Sequence, residues 1–337
     1  MAGLPRLRLA HLPTPLEKPA RLSASLGLDL WVKRDDATAG PESGNKIRKL
    51  EYLFAGALAA GADTVVTCGG IQSNHARATA LLAASLGLRA VLLLRTLDPT
   101  LDPAKAPLSG NVLLDRMAGA ELRLITPAQY RERNQLMGEV AAELAKGGRR
   151  AYVIPEGGSN ALGSLGYVEA MAEVRRQLDA GEGGGRPFDV IIHACGSGGT
   201  AAGVALGAAK HEVAGEVRAM AVCDDAAYFE AAIGRIVAEA RALDPSLGEP
   251  ARLVVDDRSK GPAYAVATDE QKATLVDVCR LSGLVLDPVY TGKAFHGLKR
   301  CRDLGELGGG RVLFLHTGGV PGLLAQAEDL RGALGLA

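Results

Sequence analysis

The strongest constraint in this chain is the way short apolar runs alternate with longer amphipathic ones. The short runs are Thr64 to Cys68, Ala90 to Leu94, Leu122 to Ile125, Tyr152 to Ile154, Val190 to Cys195, Val217 to Val222 and Val312 to Leu315, all rich in Val, Leu and Ile. Runs of that kind suit strands covered on both faces. Between them lie Ala-rich and Leu-rich stretches with helical spacing, for example Lys49 to Ala60, Ala76 to Leu86, Ala128 to Lys146, Leu165 to Leu178 and Asp269 to Ser282. Strand and helix in alternation predict an α/β fold with open, mostly parallel sheets. With 337 residues and 47% hydrophobic content, the chain has enough apolar surface for two such domains.

Charge and composition remove several function classes. Lys plus Arg equals Asp plus Glu at 38 each, so nothing favours nucleic acid or an anionic membrane surface. Cys68, Cys195, Cys223, Cys279 and Cys301 are widely spaced, form no CxxC motif and leave one over on pairing, which suits reduced thiols in the cytoplasm. The N-terminal stretch mixes Arg6, Arg8 and His11 with prolines, so no targeting or spanning segment is expected. The six histidines make no cluster with ligand spacing, and no metal is expected. Asp35, Asp36 and Glu51 read as solvated or salt-bridged surface carboxylates. Most glycines fall at strand-to-helix corners, while Gly181 to Gly185 reads as a surface loop.

Three of those corners carry small polar residues: Gly69-Gly70-Ile71-Gln72-Ser73-Asn74-His75, Gly196-Ser197-Gly198-Gly199-Thr200 and His316-Thr317-Gly318-Gly319. In open α/β sheets, ligands bind outside the carboxyl ends of the strands, where these corners lie. In Gly196 to Thr200, glycines let the backbone approach an anion, and the following helix dipole favours negative charge. The loop is a candidate phosphate cradle, although a bare turn that lets helix and strand pack would read the same way. It lacks the Gly-Lys-Ser/Thr of a nucleotide loop and the ribose-binding acid of a dinucleotide fingerprint. Upstream, Lys46 stands where the polar turn Ser43-Gly44-Asn45 becomes a helical run. Alone it is ordinarily a solvated charge; beside a phosphate cradle it suits Schiff-base chemistry, and the two together suggest pyridoxal 5′-phosphate.

At this point the sequence resembles the pyridoxal-phosphate enzymes of fold type II, the tryptophan synthase β-like group. Within them it is similar to the family of D-cysteine desulfhydrase, 1-aminocyclopropane-1-carboxylate deaminase and L-cysteate sulfo-lyase. The resemblance runs from Pro13-Thr14-Pro15-Leu16-Glu17 and Trp31-Val32-Lys33-Arg34-Asp35-Asp36 through Gly157-Gly158-Ser159-Asn160 and Gly166-Tyr167-Val168. It continues to Asp287-Pro288-Val289-Tyr290-Thr291-Gly292-Lys293 and His316-Thr317-Gly318-Gly319. It implies that Lys46, with Asn45 as neighbour, forms the Schiff base. Asn74 would bond the ring hydroxyl oxygen, Gly196, Ser197, Gly198, Gly199 and Thr200 would hold the phosphate, and Thr317 would face the pyridine nitrogen. A neutral hydroxyl there does not force ring protonation, which favours elimination over transamination.

Substrate residues follow from the same resemblance. Gln72, Ser73, Asn74 and His75 begin a helix whose N–H groups suit an α-carboxylate, with Ser73 near the Cα proton; as plain structure, Ser73 is an N-cap and His75 a satisfied donor. Tyr290 would lie over the substrate and move a proton. Deaminases of the family carry glutamate and glutamine where this chain has Thr291 and His75, so the implied reaction is β-elimination: D-cysteine to pyruvate, ammonia and hydrogen sulfide. L-cysteate sulfo-lyase and 1-aminocyclopropane-1-carboxylate deaminase stand as alternatives. A protein that binds the cofactor or an amino acid without turnover is disfavoured by the joint retention of Lys46, Ser73, Tyr290 and Thr317. A nicotinamide oxidoreductase fails on the missing fingerprint.

Two departures from the family pattern carry expectations of their own. Ser43 stands for a glycine, with Pro41 and Glu42 before it, which predicts a different path into Lys46. Ala263 and Ala265 flank Tyr264 where glycines are usual, and alanine resists positive φ, which predicts a different aim for Tyr264. By the family's layout, residues 1–49 and 161–337 form a large cofactor-binding domain and 50–160 a smaller, mobile one. A homodimer is also implied.

Overall fold

The computed structural model describes residues 4–97 and 102–336. Its ten strands are β1 (Leu16–Glu17), β2 (Asp29–Lys33), β3 (Thr64–Gly70), β4 (Arg89–Arg95), β5 (Glu121–Ile125), β6 (Ala151–Val153), β7 (Phe188–Cys195), β8 (Ala214–Ala221), β9 (Arg252–Asp256) and β10 (Arg311–Leu315). They form two sheets, one of six strands in the order β1-β2-β10-β7-β8-β9 and one of four in the order β5-β4-β3-β6. Every neighbouring pair is parallel except β1 with β2. The apolar runs account for this arrangement: β3 is buried along its whole length and β7 at all but one position, so helices cover both faces.

Periodicity alone missed β1, β2 and β9. The second strand interleaves Asp29 and Lys33 with Leu30, Trp31 and Val32, yet it pairs with β10 inside the larger sheet. The expected helix from Ala128 to Lys146 is broken at Glu132 into Pro127–Arg131 and Arg133–Lys146. A capping box between Thr126 and Gln129 starts the first piece. The break lets Tyr130 and Arg133 converge on Glu156, the phenol by a short hydrogen bond and the guanidinium at 2.7 Å.

Gly181 to Gly185 is also more than a surface loop. Residues Glu182–Gly185 form a tight turn with Gly183 buried, and the Arg311 guanidinium donates to its carbonyl while lying over the Trp31 and Phe188 rings.

The helix Lys46–Ala59 packs against Ala161–Asp179. Gly166 makes this possible, since a side chain there would run into the backbone at Arg48. Where the helices meet, Arg48 is 1% exposed and bonds Asp35 at 2.8 and 2.9 Å and Glu173 at 3.0 Å. Lys33 reaches Glu173 at 2.6 Å, and the Tyr167 hydroxyl donates to Asp35 at 2.6 Å. Asp35 and Glu51, expected at the surface, are therefore buried but ion-paired, Glu51 with Arg6 at 2.6 Å. Asp36 remains near the surface beside Arg34.

Burial alone would raise the Glu173 carboxyl, but its bonds to Arg48 and its nearness to Lys33 outweigh that and hold it at about 2. Because its folded value lies below the ordinary 4.5, Glu173 contributes stability that is complete above about 4.5 and lost as the pH falls towards 2. Acid titration of stability in wild type and Glu173→Gln tests this, with a shallower acid limb expected in the variant. Arg48→Ala leaves two buried carboxylates short of a partner and is expected to cost about 3–5 kcal/mol by denaturant titration.

Candidate active site

The carboxyl ends of β3, β4, β7, β8 and β10 face one cavity of about 450 Å³ between the two sheets. Of the residues singled out in the sequence, Lys46, Ser73, Asn74, His75, Gly196, Ser197, Gly198, Thr200, Tyr264, Tyr290 and Thr317 line it. Three do not. Gln72 turns away to accept from Asn111 N at 2.8 Å and donate to Ser109 O at 3.1 Å, fastening the start of the helix Gly110–Met117. Gly199 lies behind its loop, donating to Ser159 Oγ at 3.2 Å. Thr291 is fully buried, its hydroxyl 2.7 Å from Asp287 Oδ1 and accepting from Asp287 N at 2.8 Å.

The approach to Lys46 depends on Gly44 rather than on residue 43. Gly44 takes φ +123°, and a side chain there would press on Thr317 O at 3.0 Å. Ser43 has no positive φ, and its carbonyl accepts from Arg77 at 2.8 Å. Asn45 then ties the turn to both other motifs, donating from its backbone to Thr317 O at 3.2 Å and from Nδ2 to Thr200 Oγ1 at 3.1 Å.

Burial lowers the Lys46 ammonium to about 8, against a smaller opposing pull from Glu156 and Cys195. One turn on, Lys49 is 1% exposed and is held well below its ordinary value by burial and by the charge of Lys46. Lys49 Nζ donates to Gly157 O at 3.2 Å and Ser159 Oγ at 3.1 Å, and Ser159 Oγ lies 2.8 Å from Ser197 Oγ. Neither lysine has a carboxylate partner among the described residues. Two buried lysines without an ion pair, beside a Gly-rich turn that opens the helix Gly199–Lys210, fit a guest that brings a phosphate.

Ser73 caps the helix Asn74–Ser85, its Oγ accepting from Ala76 N at 3.1 Å. Asn74 Oδ1 is held by Asn111 Nδ2 at 3.1 Å. His75 is 3% exposed, shares a 2.9 Å hydrogen bond with Thr67 and is kept neutral by burial and by Lys46 and Lys49. The thiol of Cys195, also in the wall, is pushed up to about 12 by burial and stays protonated.

On the opposite side, the Tyr264 and Tyr290 hydroxyls lie 2.7 Å apart. Ala265 adopts φ +61° despite its side chain, and Tyr264 lines the cavity. Lys293 holds that loop, its ammonium donating to Val222 O at 3.0 Å, Lys260 O at 2.7 Å and Ala263 O at 2.8 Å. Sequence reasoning missed Lys293, Lys49, Arg95, Tyr130 and Glu156. Two of them carried a signal: Lys293 closes the Asp287 to Lys293 motif, and Lys49 stands i, i+3 from Lys46 on one helical face.

Elsewhere, among the described residues, Asp256, Cys301 and Glu306 are the one grouping close enough to share a metal ion. Arg218 and Arg258 already neutralise it, with guanidinium contacts at 2.6 and 2.7 Å to Glu306.

Residues 7–318 match the family described as pyridoxal-phosphate dependent enzyme. The chain is 41% identical over 336 residues to the mitochondrial bifunctional D-cysteine desulfhydrase/1-aminocyclopropane-1-carboxylate deaminase of Arabidopsis thaliana, covering 97% of this chain and 81% of that one. It is 40% identical to the D-cysteine desulfhydrase of Yersinia enterocolitica, covering 96% and 97%. A solved structure described as an ACC deaminase homologue superposes with a TM-score of 0.86 at 37% identity, covering 98% of this chain and 97% of that one.

Two measurements test this geometry. Ala265→Gly relieves the positive φ and is expected to stabilise the protein by about 0.5–1 kcal/mol by denaturant titration. The neutral amine is the nucleophile towards an aldehyde, so capture of pyridoxal 5′-phosphate by the cofactor-free protein is expected to accelerate with pH and level off above about 8, where Lys46 has lost its proton. Stopped-flow absorbance checks it; a rate still climbing towards the ordinary lysine range contradicts it.

Proposed function

The chain belongs to the pyridoxal-phosphate-dependent enzymes, and from that premise we propose that it is a β-elimination lyase for a small sulfur-bearing amino acid, with D-cysteine as the preferred substrate. The observation that carries the reading is the single cavity holding an unpaired Lys46, the helix start at Ser73 and the Tyr264–Tyr290 hydroxyl pair. Bound there, the cofactor supplies an aldehyde for imine exchange and a ring that accepts electrons.

The chain's own residues divide the remaining work. Backbone N–H groups of the Gly196 loop, with Lys49 behind Ser159 and Ser197, would hold the phosphate. Asn74, fixed by Asn111, would meet the ring hydroxyl oxygen, and Thr317 would face the ring nitrogen. Free N–H groups at the start of the Asn74–Ser85 helix receive the substrate carboxylate. Lys46, neutral to a large degree near pH 8, takes the Cα proton with Ser73 beside it. The paired tyrosine hydroxyls donate a hydrogen bond to the departing sulfur. Thr291 supports elimination over ring opening, because its bonds to Asp287 keep it from offering a polar group to the cavity.

The larger sheet with residues 1–49 and 161–337, and the smaller with 50–160, would act as two domains that close on the substrate and exclude water. The family implies a homodimer, and the free thiols suit a reducing compartment such as the cytoplasm; among the described residues no helix is long and apolar enough to cross a membrane.

Purified protein is expected to absorb near the visible edge and to release pyruvate and sulfide from D-cysteine, with Lys46→Ala losing both. L-cysteate is the next candidate, giving pyruvate and sulfite. Release of 2-oxobutyrate from 1-aminocyclopropane-1-carboxylate alone would replace this reading by deamination.

A further inference from the structure

Four cationic side chains line the cavity, Lys46, Arg95, Arg131 and Arg133, against two carboxylates, Glu156 and Asp224. Most are spoken for. Glu156 is engaged by Arg133 and Tyr130, Asp224 accepts from the Cys223 thiol at 3.2 Å, Arg131 is exposed to solvent, and Lys46 serves the cofactor. Arg95 is the exception.

Arg95 ends β4, opposite Gly70 in the register, and its carbonyl accepts from Ile71 N at 3.0 Å. It therefore stands at the carboxyl end of its strand, where this class of sheet binds ligands. Its guanidinium carbon lies 4.8 Å from the centroid of the Tyr130 ring and 4.9 Å from that of Tyr264. Two rings grip the cation while consuming none of its in-plane N–H donors. Among the described residues, no carboxylate pairs with it. A half-buried guanidinium set against two rings, with its donors unspent and a cavity beside it, is a receptor for a planar or tetrahedral oxyanion or for a soft anion.

Its neighbour decides which part of the substrate it meets. The α-carboxylate belongs to the start of the Asn74–Ser85 helix, whereas Arg95 lies against Tyr264, whose hydroxyl is bonded to Tyr290. We propose that Arg95 receives the leaving group, selecting amino acids whose β-substituent departs as a sulfur anion, hydrosulfide or sulfite. The proposal rests on the β-elimination reading above. A base takes the Cα proton, the C–H electron pair becomes the Cα–Cβ double bond, and the Cβ–S pair leaves with sulfur. The negative charge that gathers on sulfur meets Arg95. Opening a cyclopropane ring at carbon expels no such anion, so this cation gives it no advantage.

The test compares holoenzyme of wild type, R95Q and R95K on both enantiomers of cysteine, cysteate and 3-chloroalanine, by pyruvate release. Exchange of the alanine Cα proton in deuterated water, followed by NMR, runs alongside because it needs no leaving group. R95Q is expected to lower kcat/KM for cysteate on the order of 100-fold, cysteine less and 3-chloroalanine least, with alanine exchange changed by less than about threefold and R95K restoring part of the loss. Equal losses on every substrate and on alanine exchange would place Arg95 on the α-carboxylate and overturn the proposal. No loss anywhere would reduce it to a prop for Tyr264 and also overturn it. If wild type exchanges alanine but eliminates from none of these substrates, the elimination reading fails on its own. Sulfite inhibition of alanine exchange then still tests the residue: about tenfold weaker inhibition in R95Q supports anion capture, and equal inhibition refutes it.

Discussion

The first turn of one helix places cations on two faces, and the rest of the molecule is arranged around how each is answered. On the rear face, Arg48 is met by Asp35 and Glu173, with Lys33 and Tyr167 completing the set. On the front face, Lys46 and Lys49 are buried and form no ion pair among the described residues. A buried charge without a partner is costly, and the protein bears that cost by lowering both ammonium groups and leaving space for an anionic guest. The rear network makes this tenable. It pins the helix against Ala161–Asp179, so the front lysines cannot swing out to solvent.

The same division explains why the cavity can do elimination chemistry. A lysine depressed to about 8 is nucleophile and base near neutral pH, which an ordinary surface lysine is not. The glycine turn and the start of the Gly199–Lys210 helix answer the phosphate, and the start of Asn74–Ser85 answers the substrate carboxylate. Opposite them, Lys293 ties three carbonyls and so steadies the loop that brings Tyr264 to Tyr290. Cofactor and substrate are therefore gripped from different strand ends.

What the sequence made legible follows from the range of the interactions involved. Both-face burial leaves uninterrupted apolar runs, so β3, β4, β7, β8 and β10 were readable to within three residues at either end. Strand β2 was not, because Asp29 and Lys33 are paid for by partners far along the chain, Arg311 and Glu173. The motif residues could be found because chemistry demands them beside glycines. Thr291 and Gln72 belong to the same motifs, yet Thr291 turns its hydroxyl to Asp287 and Gln72 its amide to Asn111, and neighbourhood in sequence could not show which way they turn. Arg95, Tyr130 and Glu156 come from three separate segments and meet only in the folded chain. Ala265 shows the reverse case, a local preference overridden, since the loop held by Lys293 keeps a backbone conformation that alanine alone would avoid.

The central claim is that the front lysines are completed by a phosphate carried on an aldehyde. Equilibrium binding of pyridoxal 5′-phosphate and of pyridoxal, which lacks the phosphate, to cofactor-free wild type and Lys49→Met measures this directly. The phosphorylated form should bind wild type tighter by on the order of 1000-fold, and the variant should lose most of that preference. Equal affinity for the two aldehydes, or a preference that survives the loss of Lys49 intact, would contradict the account.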